Sequence, residues 1–551
     1  MSLQFITGNS GNGKTEYLFN RIVKEAKENP RDNYLVIVPE QFTMQTQRQL
    51  VDLSENKVIM NIDVLSFKRL AYRVFDELGI TNLTVLEETG KNLVLRKLAA
   101  QEADKLGVIG RNLNRIGYIS EVKSLLSELV QYNISPEELG RYIASGRLSD
   151  TLSDKLKDVL VLYEAFEKFM QDKYITAEEI LNVLSNVAEE SAILRNSVIA
   201  FDEFTGFTPI QNQLIKKLFV ISKKIYVTLT IDCREDIFKS RGMQELFDMP
   251  KRTVKSLTEM AAFYGIEVEE PIILDKNYRL AENEELSFME QQLFRKRRCS
   301  FKKAPKHIHI DCLRDPKQEL TKIARRINEL VRNENLRYRD IAIVTGDVNI
   351  YAGYVREIFD KYNIPYFIDA TQEILFHPFI EFIRSIPDIA AQNFSADAVF
   401  RFLRCGFSEL LDSEIDVLEN YVLACGVRGK SAWDKKWVRL PKHKAGYDLE
   451  LLNQSREYIM ELLKPVYQVF SDKKSTVKDY VLAIYKLIVL LDIPDKLAKK
   501  EQALLDAGDQ TASKEYGQIY KIVMQLFEKY VAVLGDECMD AEEFTQILDA
   551  G

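Results

Sequence analysis

The stretch GNSGNGKT, Gly8 to Thr15, decides how the rest of the chain is read. It fits the spacing G-x-x-x-x-G-K-[ST], and the residues just before it, Leu3-Gln4-Phe5-Ile6-Thr7, read as a short buried strand. Strand, glycine-rich loop and helix together make the context in which this spacing binds phosphates. Gly8, Gly11 and Gly13 allow the backbone to fold into a nest of N–H donors. Lys14 would neutralise the β/γ-phosphates and Thr15 would hold Mg²⁺ through its hydroxyl, while the helix starting there adds the positive end of its dipole. The expected cofactors are ATP and Mg²⁺. A glycine-rich turn with an incidental lysine is the bland alternative, and the flanking strand and helix weigh against it.

At 551 residues the chain is too long for one core and implies three or four domains. A hydrophobic content of 46% supports ordinary globular cores, and a formal net charge of −8 excludes a uniformly basic nucleic-acid protein. Any DNA contact must therefore use grooves, loops or a basic stripe. Six cysteines, Cys233, Cys299, Cys312, Cys405, Cys425 and Cys538, are widely separated, with no C-x-x-C pair, and read as reduced thiols of a cytosolic protein. His307, His309, His377 and His443 do not combine with them at zinc-like spacing, so no structural metal is expected; His307 and His309 alternate in KHIHID like one exposed strand face. The N-terminus carries no basic and apolar leader, and no run of about 18 apolar residues occurs, so the expectation is a soluble, cytoplasmic protein with no membrane contact.

The fold class read from the pattern is α/β. LQFIT, YLVIVP (Tyr34–Pro39) and VIMNIDVLSF (Val58–Phe67) alternate with helical stretches in the rhythm of a parallel sheet. From about Leu86 to Arg195 the periodicity is helical, as in EVKSLLSELVQYN. The sheet pattern resumes at SVIAFDEF (Ser197–Phe204) and KIYVTLTID (Lys224–Asp232). A charged stretch, FRKRRCSFKKAPKH (Phe294–His307), leads to further strand-like runs, HIHIDCL, DIAIVTG (Asp340–Gly346) and IPYFIDA (Ile364–Ala370), and beyond about Ser395 the chain reads as helical. The expected domains are 1–85 with 196–275 as the first parallel-sheet domain, 86–195 as a helical insertion, 276–395 as the first part of a second α/β domain, and 396–551 as a second helical domain.

A P-loop ATPase also needs acids to fix Mg²⁺ and orient the attacking water. VIAFDEF supplies them: Asp202 would hold the metal's water shell from the tip of a buried strand, and Glu203 would orient or deprotonate the water. A strand ending in two solvated acids is the plain alternative.

VIAFDEFTGFTPIQNQLI resembles the second motif of UvrD-like superfamily 1 helicases, and LDKNYR (Leu274–Arg279) resembles their fourth. RYRDIAIVTGDVNIYAGYVREIFDKYNIPYFID is similar to the opening of their second motor domain. VPEQFTMQTQ (Val38–Gln47), VLSFKRLAYRV (Val64–Val74) and IPYFIDATQEILFHPFIEFIRSI followed by VFRFLRCGF narrow the resemblance to AddB, the helicase-like subunit of the bacterial AddAB helicase–nuclease that processes broken DNA ends. The resemblance extends from the P-loop to about Phe407. It implies a P-loop NTPase with two RecA-like parallel-sheet domains, the second incomplete, and two helical insertions. It further implies Arg279 among the nucleotide contacts, the AddA motor–nuclease subunit as partner, and single-stranded and double-stranded DNA as ligands.

Departures from an active helicase point to weak or absent turnover. Only seven residues precede Gly8, leaving no room for an adenine-reading glutamine motif, and Thr205 stands where those helicases carry Gln. Their third motif survives only as DCRE (Asp232–Glu235), so Glu235 replaces a neutral amide and would place a carboxylate toward phosphates. AddB proteins continue into the rest of the second motor domain and a nuclease domain with an iron–sulfur cluster. The chain therefore reads as an N-terminal half, to which neither nuclease activity nor an iron–sulfur cluster is assigned.

In superfamily 1 helicases, loops after the first motor-domain strands grip one DNA strand with phosphate donors and aromatic platforms, each stacked base contributing about 1–3 kcal/mol. By motif match the candidates are Gln41, Thr43, Phe67, Arg69, Tyr72, Phe207 and Thr208, with core packing the alternative for Phe67 and Tyr72. The resemblance also implies scanning of that strand for a recombination-hotspot sequence. The basic run Arg295, Lys296, Arg297, Arg298, Lys302, Lys303 and Lys306 reads either as a duplex-phosphate contact or as solvated linker. KSAWDKKWVRLPKHK, with Trp433 and Trp437, suits DNA or the partner subunit equally. Two competing readings are an autonomous helicase using Lys14, Thr15, Asp202, Glu203 and Arg279, and a small-molecule P-loop kinase, which the second α/β region disfavours.

Overall fold

The computed structural model describes residues 1–80, 85–107, 116–146, 148–170, 174–295, 299–369, 374–441 and 447–550. Lys296, Arg297, Arg298, Ala370 and His443, named in the sequence reading, lie outside them.

Nine strands are described: β1 Ser2–Gly8, β2 Tyr34–Ile37, β3 Ile62–Leu65, β4 Val85–Leu86, β5 Ile175–Thr176, β6 Val198–Phe201, β7 Lys224–Thr230, β8 Glu267–Val268 and β9 Ile272–Leu274. Seven form one parallel sheet in the order β3-β2-β6-β7-β1, with β8 and β9 both pairing the outer side of β1. The register sets Gly8 opposite Thr230 and Ile37 opposite Phe201. Both faces are covered, which is why LQFIT and VIAF are nearly unbroken apolar runs. Leu3 and Phe5 face a core shared with Leu70, Val74, Leu214, Leu218 and Leu257, whereas Ile6 faces Leu18, Phe19 and Ile22 of the first helix, Lys14–Glu28. Because the strands are parallel, every loop that follows one lies at the same edge, where ligands bind in open α/β sheets.

Two strands are shorter than their sequence pattern. β2 stops at Ile37, ahead of Pro39, which has no N–H for a ladder. β3 covers only Ile62–Leu65 of the expected Val58–Phe67, because Ser66 caps the helix Phe67–Leu78 through its Oγ, which accepts from the Arg69 N–H at 3.3 Å. The region between β4 and β6 is helical, with its own core around Val94, Leu98, Leu162 and Phe166, and the two-residue pair β4–β5 is its only sheet among the described residues. The helix Gln510–Leu534 packs on the helix Glu88–Gln101, with Lys529 paired to Glu87 and Lys97 Nζ 2.7 Å from Glu537.

The chain divides into two compact units, residues 1–297 with 381–551, and residues 298–380. In the second, helices Pro316–Asn333 and Val348–Lys361 pack through Leu320, Ala324, Ile327, Ile358 and Phe359. The strands expected at HIHIDCL, DIAIVTG and IPYFIDA, and with them a second parallel sheet, are not formed among the described residues. Apolar alternation gives a segment strand propensity, but a ladder requires a neighbouring backbone to take its hydrogen bonds. Here the apolar side chains stay uncovered: Ile310 and Val344 are each 94% exposed and Phe367 87%. Among the described residues no helix is long and apolar enough to cross a membrane, and no group of three or more His, Cys, Asp or Glu is placed to hold a metal.

Candidate nucleotide and DNA-strand site

β1 ends at Gly8, and the chain turns through Gly11 (φ 85°) and Gly13 (φ 75°) into the helix Lys14–Glu28. Left-handed backbone explains glycine at both positions. Gly11 has a second reason, since a Cβ there would lie 2.9 Å from both Asn277 Oδ1 and Arg279 Cβ. The LDKNYR segment is fastened to the loop: the N–H groups of Tyr278 and Arg279 donate to Gly11 O at 2.9 and 3.3 Å, and Asn277 Nδ2 donates to Ser10 O at 3.1 Å. Asn12 Nδ2 returns a bond to Leu274 O at 2.6 Å. Arg279 is exposed beside the loop. Lys14 Nζ donates to Asn9 O at 3.0 Å, and burial holds its amine below the usual lysine range, against the pull of Glu203 and Asp202.

One strand, β7, separates β1 from β6, and it supplies a partner that the sequence pattern did not reveal. Thr228 Oγ1 on β7 donates to Asp202 Oδ1 just beyond β6. Asp202 is 1% exposed, and its Oδ2 has no hydrogen-bond partner. Burial raises its carboxyl above the ordinary range, and the neighbouring Glu203 charge adds to this while Thr228 opposes it. Thr15 Oγ1 lies 3.4 Å from Glu203 Oε1, to which it donates. Glu203 itself has φ 64°, a left-handed conformation costing a non-glycine residue about 1 kcal/mol. Strained backbone at an exposed acid facing a P-loop is the kind of feature that concentrates at functional sites. The orphaned Asp202 oxygen, the Glu203 carboxylate and the Thr15 hydroxyl are hard oxygen donors of the type that suits a hydrated Mg²⁺.

Both acids of the DCRE segment are ion-paired. Arg234 grips Asp232 with both ends of its fork, Nε to Oδ1 at 2.8 Å and Nη2 to Oδ2 at 2.5 Å, and Arg295 Nε adds a bond at 3.0 Å. Burial alone would raise the Asp232 carboxyl; the two guanidiniums overcome it and hold it well below the usual range. Glu235 is paired with Lys251 Nζ at 2.6 Å, so its charge is met within the protein. Arg295 is likewise no surface cation for duplex phosphates: its side chain is 12% exposed and stacks 4.8 Å above the Phe247 ring.

Residues 5–290, which take in the sheet from the middle of β1 onward, the P-loop, the acids and LDKNYR, match the family described as ADDB, N-terminal. The chain belongs to the AddB family. Similar AddB-family proteins include the B subunit of the ATP-dependent helicase/deoxyribonuclease of Lachnoclostridium phytofermentans, 38% identical over 561 residues, covering 100% of this chain and 49% of the relative. The corresponding B subunits of Clostridium acetobutylicum and Caldanaerobacter subterraneus subsp. tengcongensis are each 32% identical over 563 residues, covering 100% of this chain and 48% of the relative. The chain thus spans about half the length of the curated AddB relatives it matches.

The DNA-strand candidates inferred from the AddB resemblance fall after β2, β3 and β6, at the same edge as the P-loop. Gln41 is exposed in the turn Glu40–Phe42. Glu40 ties two loops together, accepting from Arg69 Nε at 3.0 Å and from Ser66 Oγ. Thr43 is buried and donates its hydroxyl to Glu40 O at 3.0 Å. Thr208 caps the helix Pro209–Ile221 in a reciprocal box with Gln211. Tyr72 is 38% exposed. Phe67 departs from the role of stacking platform: it is 7% exposed, with its ring centroid 5.8, 5.6 and 6.3 Å from those of Phe201, Phe204 and Phe207. Phe207 is half-buried in the same cluster. Trp433 and Trp437 are also interior, packed edge to face with ring centroids 5.2 Å apart, which removes them from the exposed surface.

Proposed function

We propose that this chain is the nucleotide-binding and strand-gripping part of the B subunit of a cytoplasmic ATP-dependent helicase/deoxyribonuclease. In this reading it binds ATP with Mg²⁺ through Gly8, Gly11, Gly13, Lys14, Thr15, Asp202 and Arg279, with Glu203 aligned for the attacking water. Mg²⁺, held from Thr15 and Asp202, would supply charge neutralisation at the phosphates. Gln41, Arg69, Tyr72 and Phe207 would meet single-stranded DNA at the same edge, in a heterodimer with AddA that repairs double-strand breaks for homologous recombination and scans for a hotspot. The observation that carries this is the convergence of Lys14, Thr15, the partnerless Asp202 oxygen and the strained Glu203 at one sheet edge.

A second reading, an autonomous superfamily 1 helicase, is supported by the intact Glu203 beside Thr15. ATP turnover with and without single-stranded DNA, with nucleotide binding measured in parallel, separates the two. The expected result is Mg²⁺-dependent ATP binding lost in Lys14→Ala, with slow turnover that DNA barely stimulates. Strong DNA-stimulated turnover, abolished by both Lys14→Ala and Glu203→Gln, would establish the helicase reading, and absence of nucleotide binding would overturn both.

A further inference from the structure

Glu40 is an acid among the candidates for gripping a polyanion, a placement that charge repulsion disfavours. Its bonds account for it. Its Oε1 accepts from Arg69 Nε at 3.0 Å and its Oε2 accepts from Ser66 Oγ, while its main-chain oxygen accepts from the Thr43 hydroxyl at 3.0 Å. Ser66 Oγ in turn accepts from the Arg69 N–H at 3.3 Å, so carboxylate, hydroxyl and arginine close a triangle. That triangle joins the turn after β2, which carries Gln41, to the capped helix after β3, which carries Arg69.

The bond to Glu40 engages the guanidinium only at Nε. The N–H groups on its two Nη atoms have no partner among the described residues, and the side chain is 53% exposed. An unrestrained arginine loses much rotamer freedom when it orders on a ligand; one already held at Nε has lost part of that freedom beforehand. It offers its Nη groups as a fork, the geometry that suits phosphate oxygens. The Glu40 side chain is itself 57% exposed, so the ion pair adds little to stability. Its consequence is orientation.

We propose that Glu40 is a positioning residue of the strand site: its carboxylate fixes Arg69 through Nε and leaves the Nη fork free for the phosphates of a single-stranded nucleic acid. The inference rests on the strand-gripping reading above. Two effects of the acid oppose one another. Its charge repels phosphates and its grip prepares the arginine that binds them, and the grip outweighs the repulsion.

The sign of each substitution is therefore diagnostic in fluorescence anisotropy with labelled oligothymidylate, on variants whose denaturation midpoints show them folded. Glu40→Ala removes a negative charge yet weakens binding by about threefold to tenfold, because Arg69 is released. Glu40→Gln removes the same charge but keeps an oxygen for Arg69 Nε and an amide N–H for Ser66 Oγ, and it tightens binding by about twofold. Arg69→Ala weakens binding and lowers the slope of log affinity against log salt by about 0.7, the mark of a lost phosphate contact. In that background Glu40→Ala no longer weakens binding, a non-additivity that a mere tie between loops would not produce. Unchanged or tighter binding by Glu40→Ala, equal weakening with and without Arg69, or weaker binding by Glu40→Gln overturns this inference and leaves the strand reading standing. No binding by the wild-type chain, or wild-type affinity in Arg69→Ala, overturns the reading of this edge and the inference with it.

Discussion

Asp202 ends β6 with one carboxylate oxygen bonded to Thr228 and the other bonded to nothing, in a position 1% exposed. Burial raises its carboxyl above the ordinary value of 3.8, so the folded state binds this proton more tightly than the unfolded one. Stability from this group is therefore complete in acid and falls as pH climbs from 3.8 through the raised folded value; at neutral pH the buried charge is a cost. Asp202→Asn keeps an acceptor for Thr228 and removes the charge. It should raise the denaturation midpoint at neutral pH, with a gain that shrinks as pH is lowered toward the ordinary carboxylate range, and it should weaken the Mg²⁺-dependent part of ATP binding. A gain of the same size across the whole pH range would refute this account. Lys14 and Thr15 were legible as candidates because G-x-x-x-x-G-K-[ST] is a short, fixed spacing, and Asp202 and Glu203 because two acids close an apolar strand run. Thr228 was not, because its partner Asp202 is brought beside it from another strand and nothing in the β7 pattern marks it.

The helix Phe67–Leu78 shows where pattern and structure part. VLSFKRLAY reads as a strand-gripping surface by its resemblance to superfamily 1 helicases, yet the decisive fact is the place where β3 stops. The Ser66 cap turns the chain at that point and sends Phe67 inward among Phe201, Phe204 and Phe207 while Tyr72 stays at the surface. Alternation alone cannot locate such a cap, which is why the expected strand Val58–Phe67 was too long, whereas β1, β2, β6 and β7 were plain from their apolar runs. The two aromatics are consequently predicted to behave oppositely. Phe67→Ala should cost about 3–5 kcal/mol of stability by opening a cavity. Tyr72→Ala and Gln41→Ala should stay within about 0.5 kcal/mol of wild type, as surface changes do. If Tyr72 stacks a base, its removal weakens oligothymidylate binding by about 1–3 kcal/mol with the fold intact. Denaturant titration and fluorescence anisotropy on the same variants check both halves, and a stable Phe67→Ala would show that the cluster is not part of the core.

At the scale of the whole molecule, the first unit satisfies its strands and the second does not. In the first, each strand of the main sheet has a parallel neighbour and both faces are covered by helices. In residues 298–380 the sequence carries equally good strand patterns, but the two helices leave an apolar groove of about 870 Å³ lined by Ile323, Ile341, Val348, Val355 and Phe359. Ile310, Ile343, Val344 and Phe367 are at the surface. Exposed apolar area of this kind, next to extended backbone that makes no ladder, favours association between copies. The chain is therefore expected to show a scattering mass that rises with protein concentration. Its cause can be separated from surface charge, because apolar association persists when salt is raised, whereas attraction between charged patches is screened over about 10 Å at 0.1 M ionic strength. Val344→Asp combined with Phe367→Asp should lower the association in both low and high salt without altering nucleotide binding at the first unit. Light scattering over a concentration series decides the matter: a monodisperse wild-type chain, or an association that salt abolishes and the double variant leaves unchanged, would locate the cause elsewhere than in these side chains.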